Sequence, residues 1–165
     1  LNPGANKSAK TEAAVSILWG RKSKDPEKQR ELKRVAVLRT AAIAFLEKGY
    51  HETTIDDIAA RLNVTKPSIY AYVETKEQIL VECAQLGYQR LDELLTWIKS
   101  QQGNALHKLR LFFRAYAAYA MDEFGMCLVM LSDRALIEEN KKRIHDMKAD
   151  IQKRIRKLVA DGIAD

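Results

Sequence analysis

The sequence predicts an all-α protein, and three observations carry this prediction. Apolar residues recur at intervals of three and four in several segments, which places them on one face of a helix. The 165 residues include only 7 glycines and 3 prolines, so long helices can run uninterrupted. No segment alternates apolar and polar residues as a half-buried strand does. A chain of this length is expected to form one compact unit or two small ones.

Residues 1–25 are predicted to form a flexible basic arm. Their first ten residues are small and polar, and three basic residues follow between positions 21 and 24. Net charge is +5 over residues 1–34 and three negative over residues 35–140. Clustered cations favour a phosphate-rich partner because binding releases its counterions. Charge alone is equally consistent with a solvated tail.

The first long helix is predicted from about Pro26 to Lys48. Asp25 is a suitable N-cap, a proline fits the first helical turn, and Gly49 is expected to end the helix. The spacing of its apolar residues predicts one buried face. That face is predicted to comprise Leu32, Val35, Leu38, Ala42, Phe45 and Leu46.

Two short helices separated by a tight turn are predicted next. Thr54 can cap the first, with the carboxylate of Asp57 three residues on. Asn63 tolerates the left-handed conformation that closes a helix. Thr65 can cap the second helix at once, and Pro67 fits its first turn. Such a pair, placed between longer helices, is typical of a helix-turn-helix, whose second short helix enters the major groove of DNA.

The exposed side of the second short helix carries groups that DNA can bind. Lys66 can donate to guanine O6 or N7, Ser68 can reach base edges or phosphate, and Pro67 can contact a thymine methyl. The hydroxyls of Tyr70 and Tyr72 suit phosphate oxygens. Taken singly, such residues are more often ordinary surface groups. Their order along two capped helices favours a DNA interface, with the predicted contacts Thr54, Thr65, Lys66, Pro67, Ser68, Tyr70, Tyr72 and Lys76.

Three further helical segments are predicted in the rest of the chain. Thr75 can cap a fourth helix, which is expected to end near Gly103. The fifth runs from Asn104 to about Asp122 and is unusually rich in aromatic residues. After a short apolar stretch, MCLVML, a charged amphipathic helix is expected to continue to about Ala160.

Cysteine and histidine positions predict neither a metal site nor a catalytic centre. Cys83 and Cys127 lack the CxxC or Cys/His spacing of a zinc site. His51, His107 and His145 are scattered, with no nucleophile, paired carboxylates or Gly-rich phosphate loop around them. We therefore expect no enzyme activity, no metal and no cofactor. No apolar run reaches the length of a membrane span and no signal peptide is present, so a cytoplasmic location is expected.

The stretch from Val35 to Leu80 resembles the N-terminal signature of the TetR/AcrR family of bacterial transcriptional regulators. Asn63 stands where glycine is usual in the turn, and Val73 where phenylalanine is usual at the end of the recognition helix. Asparagine can adopt the turn conformation and valine keeps the position apolar. The positions that carry the resemblance are Gly49-Tyr50, Thr53-Thr54, Ile58-Ala59, Val64-Thr65-Lys66, Ile69-Tyr70, Tyr72 and Lys76-Glu77.

The resemblance implies a three-helix helix-turn-helix head over residues 26–75 and a helical ligand-sensing body over residues 76–165. The helix from Lys76 to about Ser100 would act as a lever that resets the separation of the two heads in a homodimer. Family roles then fall on matching positions. Base contacts are implied for Lys66, Pro67 and Ser68, and phosphate contacts for Thr54, Tyr70, Tyr72 and Lys76.

By the same resemblance, the chain is a transcriptional repressor that binds a palindromic operator and is released by a small apolar or amphipathic effector of unknown identity. Aromatic and Met side chains of the body suit an adaptable apolar cavity. An aromatic stripe at helical spacing is nevertheless more often ordinary core. The candidate pocket residues are Tyr88, Trp97, Phe113, Tyr116, Tyr119, Phe124, Met126 and Met130.

Members of the family dimerise through their last two helices, packed as a four-helix bundle across a two-fold axis. The final segment, VADGIAD, resembles the link that precedes those helices, so the sequence is expected to be truncated there. Two alternatives stay open: a transcriptional activator with the same head, and a helical adaptor whose head binds protein. Salt separates the adaptor from a DNA-binding protein, because only DNA binding weakens steeply as salt rises.

Overall fold

The protein is all-α in a computed structural model that describes Trp19, residues 25–131 and residues 136–164. No strand occurs in these ranges, and 82% of the described residues are helical. The predicted fold class is therefore confirmed. The helices are α1 (Pro26–Lys48), α2 (Ile55–Leu62), α3 (Lys66–Tyr70), α4 (Lys76–Ser100), α5 (Ala105–Ala120), α6 (Glu123–Met130) and α7 (Glu138–Ala164).

The chain divides into two compact units, residues 1–80 and residues 81–165. Helix α4 begins in the first unit and continues into the second. The predicted arm, apart from Trp19 and Asp25, lies outside the described residues. Within those residues no helix is both long and apolar enough to cross a membrane.

Helix α1 begins and ends where the sequence predicts. The side chain of Asp25 accepts a hydrogen bond from the Lys28 amide at 3.1 Å, and Gly49, at φ 89°, closes the helix by donating its N–H to the Phe45 carbonyl. The buried face is confined to the C-terminal half of the helix, from Ala36 to Phe45. The prediction that Leu32 is buried is wrong, since 47% of its surface is exposed. Its turn of α1 precedes the half that carries the core.

Helix α2 is capped at both ends by local hydrogen bonds. Thr54 and Asp57 form a capping box, in which the Asp57 amide donates to Thr54 Oγ1 at 3.1 Å and the Thr54 amide donates to Asp57 Oδ2 at 2.8 Å. Asn63 ends the helix in the left-handed region, at φ 53° and ψ 46°. These contacts confirm the predicted cap and turn, and they fix the direction in which α3 leaves.

In the second unit, two glycines allow helices to approach closely. A Cβ on Gly162 of α7 would lie 2.8 Å from Leu109 Cδ2 of α5, and a Cβ on Gly87 of α4 would lie 2.9 Å from the Phe124 carbonyl oxygen of α6. The Tyr119 hydroxyl also donates to the Gly87 carbonyl at 3.0 Å. Gly87 is therefore a packing position.

Two buried thiols also lie within the second unit. Cys83 of α4 and Cys127 of α6 are 0% and 2% exposed. Burial, together with a hydrogen bond between the two thiols, raises the pKa of Cys83 well above its usual value. The uncharged thiol form is therefore favoured at Cys83.

Helix bounds in the second unit differ slightly from the sequence prediction. Helix α4 ends at Ser100 rather than near Gly103, and Gly103 adopts a left-handed φ of 115° in the connection to α5. The apolar stretch MCLVML overlaps α6, an eight-residue helix that Asp122 caps through a hydrogen bond from the Phe124 amide at 3.0 Å. Helix α7 continues to Ala164, beyond the predicted end near Ala160.

Candidate nucleic-acid interface

Helices α2 and α3 are joined by a tight turn that leaves one side of α3 exposed. The Val64 amide donates to the Ala59 carbonyl at 3.0 Å, which closes the turn after Asn63. Ile69 and Val73 are 0% and 1% exposed and anchor α3 and the residues after it in the core of the first unit. The side chains left exposed or half-exposed are those of Thr65, Lys66, Pro67, Ser68, Tyr70, Ala71 and Tyr72.

Lys66, the predicted base-contacting cation, is held by a neighbouring acid. Its Nζ lies 2.9 Å from Asp56 Oδ2 of α2, and both side chains are exposed. The hydrogen bond and the charge of Asp56 raise the pKa of Lys66. An exposed ion pair of this kind holds its partners weakly, so the ammonium can exchange Asp56 for another acceptor.

Thr65 occupies the N-cap position of α3 without capping it. Its side chain makes no hydrogen bond to a backbone amide of the helix. Instead, Thr65 Oγ1 lies 2.9 Å from Ser68 Oγ. The Ser68 amide is satisfied by the Thr65 carbonyl at 2.9 Å, so the hydroxyl of Thr65 is not needed there. The two hydroxyls form an exposed polar pair beside Lys66.

The two tyrosines predicted to contact phosphate have different surroundings. Tyr70 is 47% exposed, whereas Tyr72 is only partly exposed. The ring of Tyr72 meets the ring of Trp19 edge-on, with the centroids 6.1 Å apart. The Lys33 ammonium lies 5.7 Å from the centroid of Trp19. A residue of the N-terminal arm thus contacts the predicted interface, which the sequence did not indicate.

Lys76 bonds to three backbone carbonyls, which the sequence did not predict. Its ammonium donates to the carbonyls of Tyr50, His51 and Thr53 at 2.9, 3.2 and 3.0 Å. It also lies 4.5 Å from the centroid of the Tyr50 ring. One side chain therefore ties the start of α4 to the loop that precedes α2. Its predicted phosphate contact stays a prediction, and a structural role is added to it.

Thr53 is a second residue whose importance sequence reasoning missed. It is fully buried, and its Oγ1 lies 2.8 Å from the Gly49 carbonyl oxygen and 3.1 Å from that of Ala44. This hydroxyl joins the end of α1 to the residue before the α2 cap. The only sequence signal was the paired threonines at 53 and 54, which the family resemblance also includes.

Electrostatics strengthen the cap at the start of α2. The Lys48 ammonium lies 2.5 Å from Asp57 Oδ1. This hydrogen bond and those from Thr54 hold the pKa of Asp57 well below its usual value. Asp57 thus stays ionised while it accepts the bonds of the box, which also places a negative charge at the positive end of the helix dipole.

The predicted pocket residues of the second unit are distributed between core and surface. Tyr88 and Phe124 are buried, Tyr119 and Met126 are partly exposed, and Phe113 is 56% exposed. Trp97 and Tyr116 are also exposed, although the Tyr116 ring stays near that of Tyr119, with centroids 5.7 Å apart. The side chain of Met130 is outside the described part of the chain.

Among these residues, Tyr88 lines a cavity of about 460 Å³ between α4 and α7. Asp92, Asp146 and Asp150 also line this cavity. Burial raises the pKa of Tyr88, so its hydroxyl stays protonated there. In the described ranges, no group of three or more His, Cys, Asp and Glu side chains is placed to hold a metal ion.

Two family models match successive parts of the chain. The model of bacterial regulatory proteins of the tetR family matches residues 37–83. The model of the tetracyclin repressor-like C-terminal domain matches residues 102–165. The first match covers α2, the turn and α3, and the second covers helices α5 to α7.

Curated relatives match over part of their length. The Transposon Tn10 TetC protein of Escherichia coli is 31% identical over 87 residues, which is 53% of this chain and 44% of TetC. The biofilm operon icaADBC HTH-type negative transcriptional regulator IcaR of Staphylococcus aureus is 24% identical over 124 residues, or 75% of this chain and 66% of IcaR. The chain thus spans less than two thirds of either relative.

Solved structures show the same fold. The TetR family transcriptional regulator PfmR from Thermus thermophilus superposes with a TM-score of 0.68 at 25% identity, covering 78% of this chain and 70% of PfmR. AibR, solved in complex with isovaleryl coenzyme A and operator DNA, has a TM-score of 0.64 at 23% identity, with 77% and 70% covered.

Proposed function

Since the chain belongs to the TetR family of bacterial regulatory proteins, we propose that it is a transcriptional repressor that binds a palindromic operator as a homodimer. The observation that carries the proposal is the exposed face of α3, where Lys66, Pro67 and Ser68 lie over the buried anchors Ile69 and Val73. A short helix anchored in this way can enter the major groove with its N-terminal residues facing base edges.

In this proposal, base readout requires Lys66 to exchange its hydrogen-bond acceptor, Asp56, for a base. The Lys66 ammonium leaves Asp56 and donates to guanine O6 or N7, while Ser68 reaches a base edge or a phosphate. Asp56 competes with DNA for the Lys66 ammonium. A DNA sequence whose base is a weaker acceptor than Asp56 is therefore disfavoured. Phosphate contacts are assigned to Thr54, Tyr70, Tyr72 and Lys76, and they fix the register of the head.

Regulation is assigned to the second unit, through a small apolar or amphipathic effector that releases the operator. The support is the match of residues 102–165 to the repressor-like C-terminal domain. IcaR, a relative at 24% identity, is a negative transcriptional regulator. We place the protein in the bacterial cytoplasm, where its operator lies, and assign it no catalytic role.

The proposal is tested by selecting bound fragments from genomic DNA with the full-length protein and searching them for a shared motif. We expect an inverted repeat, and binding that weakens steeply with salt because lysines and arginines displace phosphate counterions. A folded dimer that enriches no inverted repeat would overturn the proposal. Binding to a helical protein that is insensitive to salt would instead support the adaptor.

Substitution of Lys66 tests the assignment of base readout. Lys66→Ala is expected to lower the ratio of operator affinity to scrambled-DNA affinity by roughly tenfold, as the loss of one base contact does. Lys141→Ala is the control, because Lys141 is also a lysine paired with a carboxylate, that of Glu138, and it lies on α7 outside the predicted interface. An unchanged ratio in Lys66→Ala, measured by fluorescence anisotropy, would contradict the assignment.

A further inference from the structure

A second cavity lies within the second unit and is not part of the predicted effector pocket. It has a volume of about 340 Å³, is partly open to solvent, and is lined by the end of α4, the start of α5 and the end of α7. Its apolar lining includes Leu95, Ile98 and Leu158, of which the first two are 6% and 1% exposed. This volume is at the small end of the range for ligand sites.

The rest of the cavity lining is strongly basic. Lys99, Lys108, Arg154 and Lys157 contribute cations, and Asp161 is the one carboxylate among the lining residues. Lys157 lies 3.3 Å from Asp161, and Arg154 is paired with Asp92 while it donates to Thr96 at 3.0 Å. Two of the four cations are therefore already neutralised by acids.

The remaining two lysines leave uncompensated positive charge at the cavity. Lys108 Nζ donates to the Lys99 carbonyl at 3.2 Å, which positions the ammonium without cancelling its charge. Among the described residues, neither Lys99 nor Lys108 is paired with a carboxylate. An apolar cavity with free ammonium groups in its lining has the chemical character of a site for an anion that carries a hydrocarbon chain.

We propose that this cavity binds a single-chain anionic amphiphile, with its carboxylate or phosphate head between Lys99 and Lys108 and its chain on Leu95, Ile98 and Leu158. Charge-assisted hydrogen bonds from the lysines hold the head. Burial of the chain supplies affinity, about fourfold for each methylene that leaves water. The inference rests on the proposed function only for its regulatory consequence, since binding at this cavity needs no DNA.

Isothermal titration calorimetry on the full chain tests the proposal with four probes that share one tail: octanoate, octyl phosphate, octanol and octylammonium. Octanoate or octyl phosphate is expected to bind at least tenfold more tightly than octanol, and octylammonium more weakly than octanol. The tighter of the two anions identifies the head that the site prefers, a fatty acid carboxylate or a phosphorylated lipid. Equal affinities for octanol and both anions would overturn the proposal.

Paired variants locate the binding site. The double variant Lys99→Gln, Lys108→Gln is expected to lose at least tenfold in affinity for the anions and little for octanol. Lys148→Gln, Lys153→Gln is the matched control, because it removes two exposed lysines of α7 that do not line the cavity. Equal loss in both double variants would show a nonspecific charge effect and overturn the proposal. Thermal melting confirms that each variant is folded.

Operator binding by the protein without amphiphile is measured separately. A protein that binds the operator but none of the four probes retains the proposed repressor function and overturns the cavity assignment. A protein that binds octanoate but no DNA retains the cavity assignment and overturns the proposed repressor function. The two proposals therefore fail independently.

Discussion

The head and the body of this protein hold their helices by contacts of different range. In the first unit, the hydrogen bonds that cap α2 join residues three apart, Thr54 and Asp57, and Lys76 adds bonds to residues 23 to 26 positions earlier. In the second unit, contacts between different helices join residues 32 apart, as in the Arg90–Asp122 ion pair at 2.7 Å and the Tyr119 hydroxyl on the Gly87 carbonyl. Local bonds can be recognised in a sequence, whereas distant ones require the fold.

The largest expected change in unfolding free energy comes from a glycine of the second unit that is needed for close packing. A glycine of the first unit that is needed only for its backbone conformation provides the comparison. A Cβ on Gly125 would lie 2.2 Å from the Tyr119 carbonyl oxygen, whereas one on Gly49 meets nothing within 4 Å. Gly125→Ala should destabilise by about 3 kcal/mol or more, since backbone must move. Gly49→Ala, at φ 89°, should cost about 1 kcal/mol through strain alone. Urea denaturation measures both, and equal losses would refute the distinction.

Lys76 tests whether the head also depends on a long-range contact. Lys76→Met keeps the aliphatic stem but leaves the Tyr50, His51 and Thr53 carbonyls without the ammonium. We expect a loss of about 2 kcal/mol, because hydrogen bonds to a charged group are stronger than neutral ones. Lys66→Met is the control and should leave the melting temperature unchanged, since its ion pair is exposed. Equal melting temperatures for the two variants would contradict the structural role of Lys76.

The helix caps predict that local contacts contribute equally in both units. Thr54 accepts from the Asp57 amide in the head, and Asn104 accepts from the His107 amide in the body, each at 3.1 Å. Thr54→Ala and Asn104→Ala should each cost about 1 kcal/mol of unfolding free energy. A loss confined to one unit, measured by hydrogen exchange of α2 and α5, would show that capping strength depends on the surrounding unit.

The smallest expected effect concerns acid. The folded-state pKa of Asp57 lies well below its usual value, so the stability that Asp57 contributes is fully present above about pH 4. That stability is lost as pH falls from there toward the folded-state pKa. Asp57→Asn should therefore make the stability of the first unit depend less on pH between about pH 4 and about pH 2. Hydrogen exchange of the α2 amides measures this dependence. An unchanged pH dependence in the variant would show that the loss of stability in acid comes from other carboxyl groups.

The sequence was sufficient for the helices and for the turn because their signals are short-range. Apolar spacing located α1, the threonine and aspartate of the capping box located α2, and Asn63 located the left-handed turn. Ile69 and Val73 then determined which side of α3 is exposed. The prediction that Thr65 caps α3 is wrong, because its hydroxyl pairs with that of Ser68 while the Ser68 amide bonds to the Thr65 carbonyl.

What the sequence did not reveal depends on residues brought together by folding. The carbonyls around Lys76 belong to residues 23 to 26 positions earlier, and no side-chain pattern marks a carbonyl as an acceptor. Leu32 belongs to the apolar periodicity of α1, but its turn lies outside the buried half of that helix. The basic cavity combines residues from three helices, so its charge cannot be read from any one of them.

The buried thiols of Cys83 and Cys127 allow the transient opening of the second unit to be measured. A cysteine thiolate attacks a maleimide or iodoacetamide reagent only when the reagent has room to approach. Both thiols are buried, and the raised pKa of Cys83 also disfavours its thiolate. Alkylation therefore proceeds through transient opening of the second unit. When reclosing is faster than alkylation, the measured rate gives the free energy of that opening. Mass spectrometry can follow the added mass over hours, without an engineered substitution.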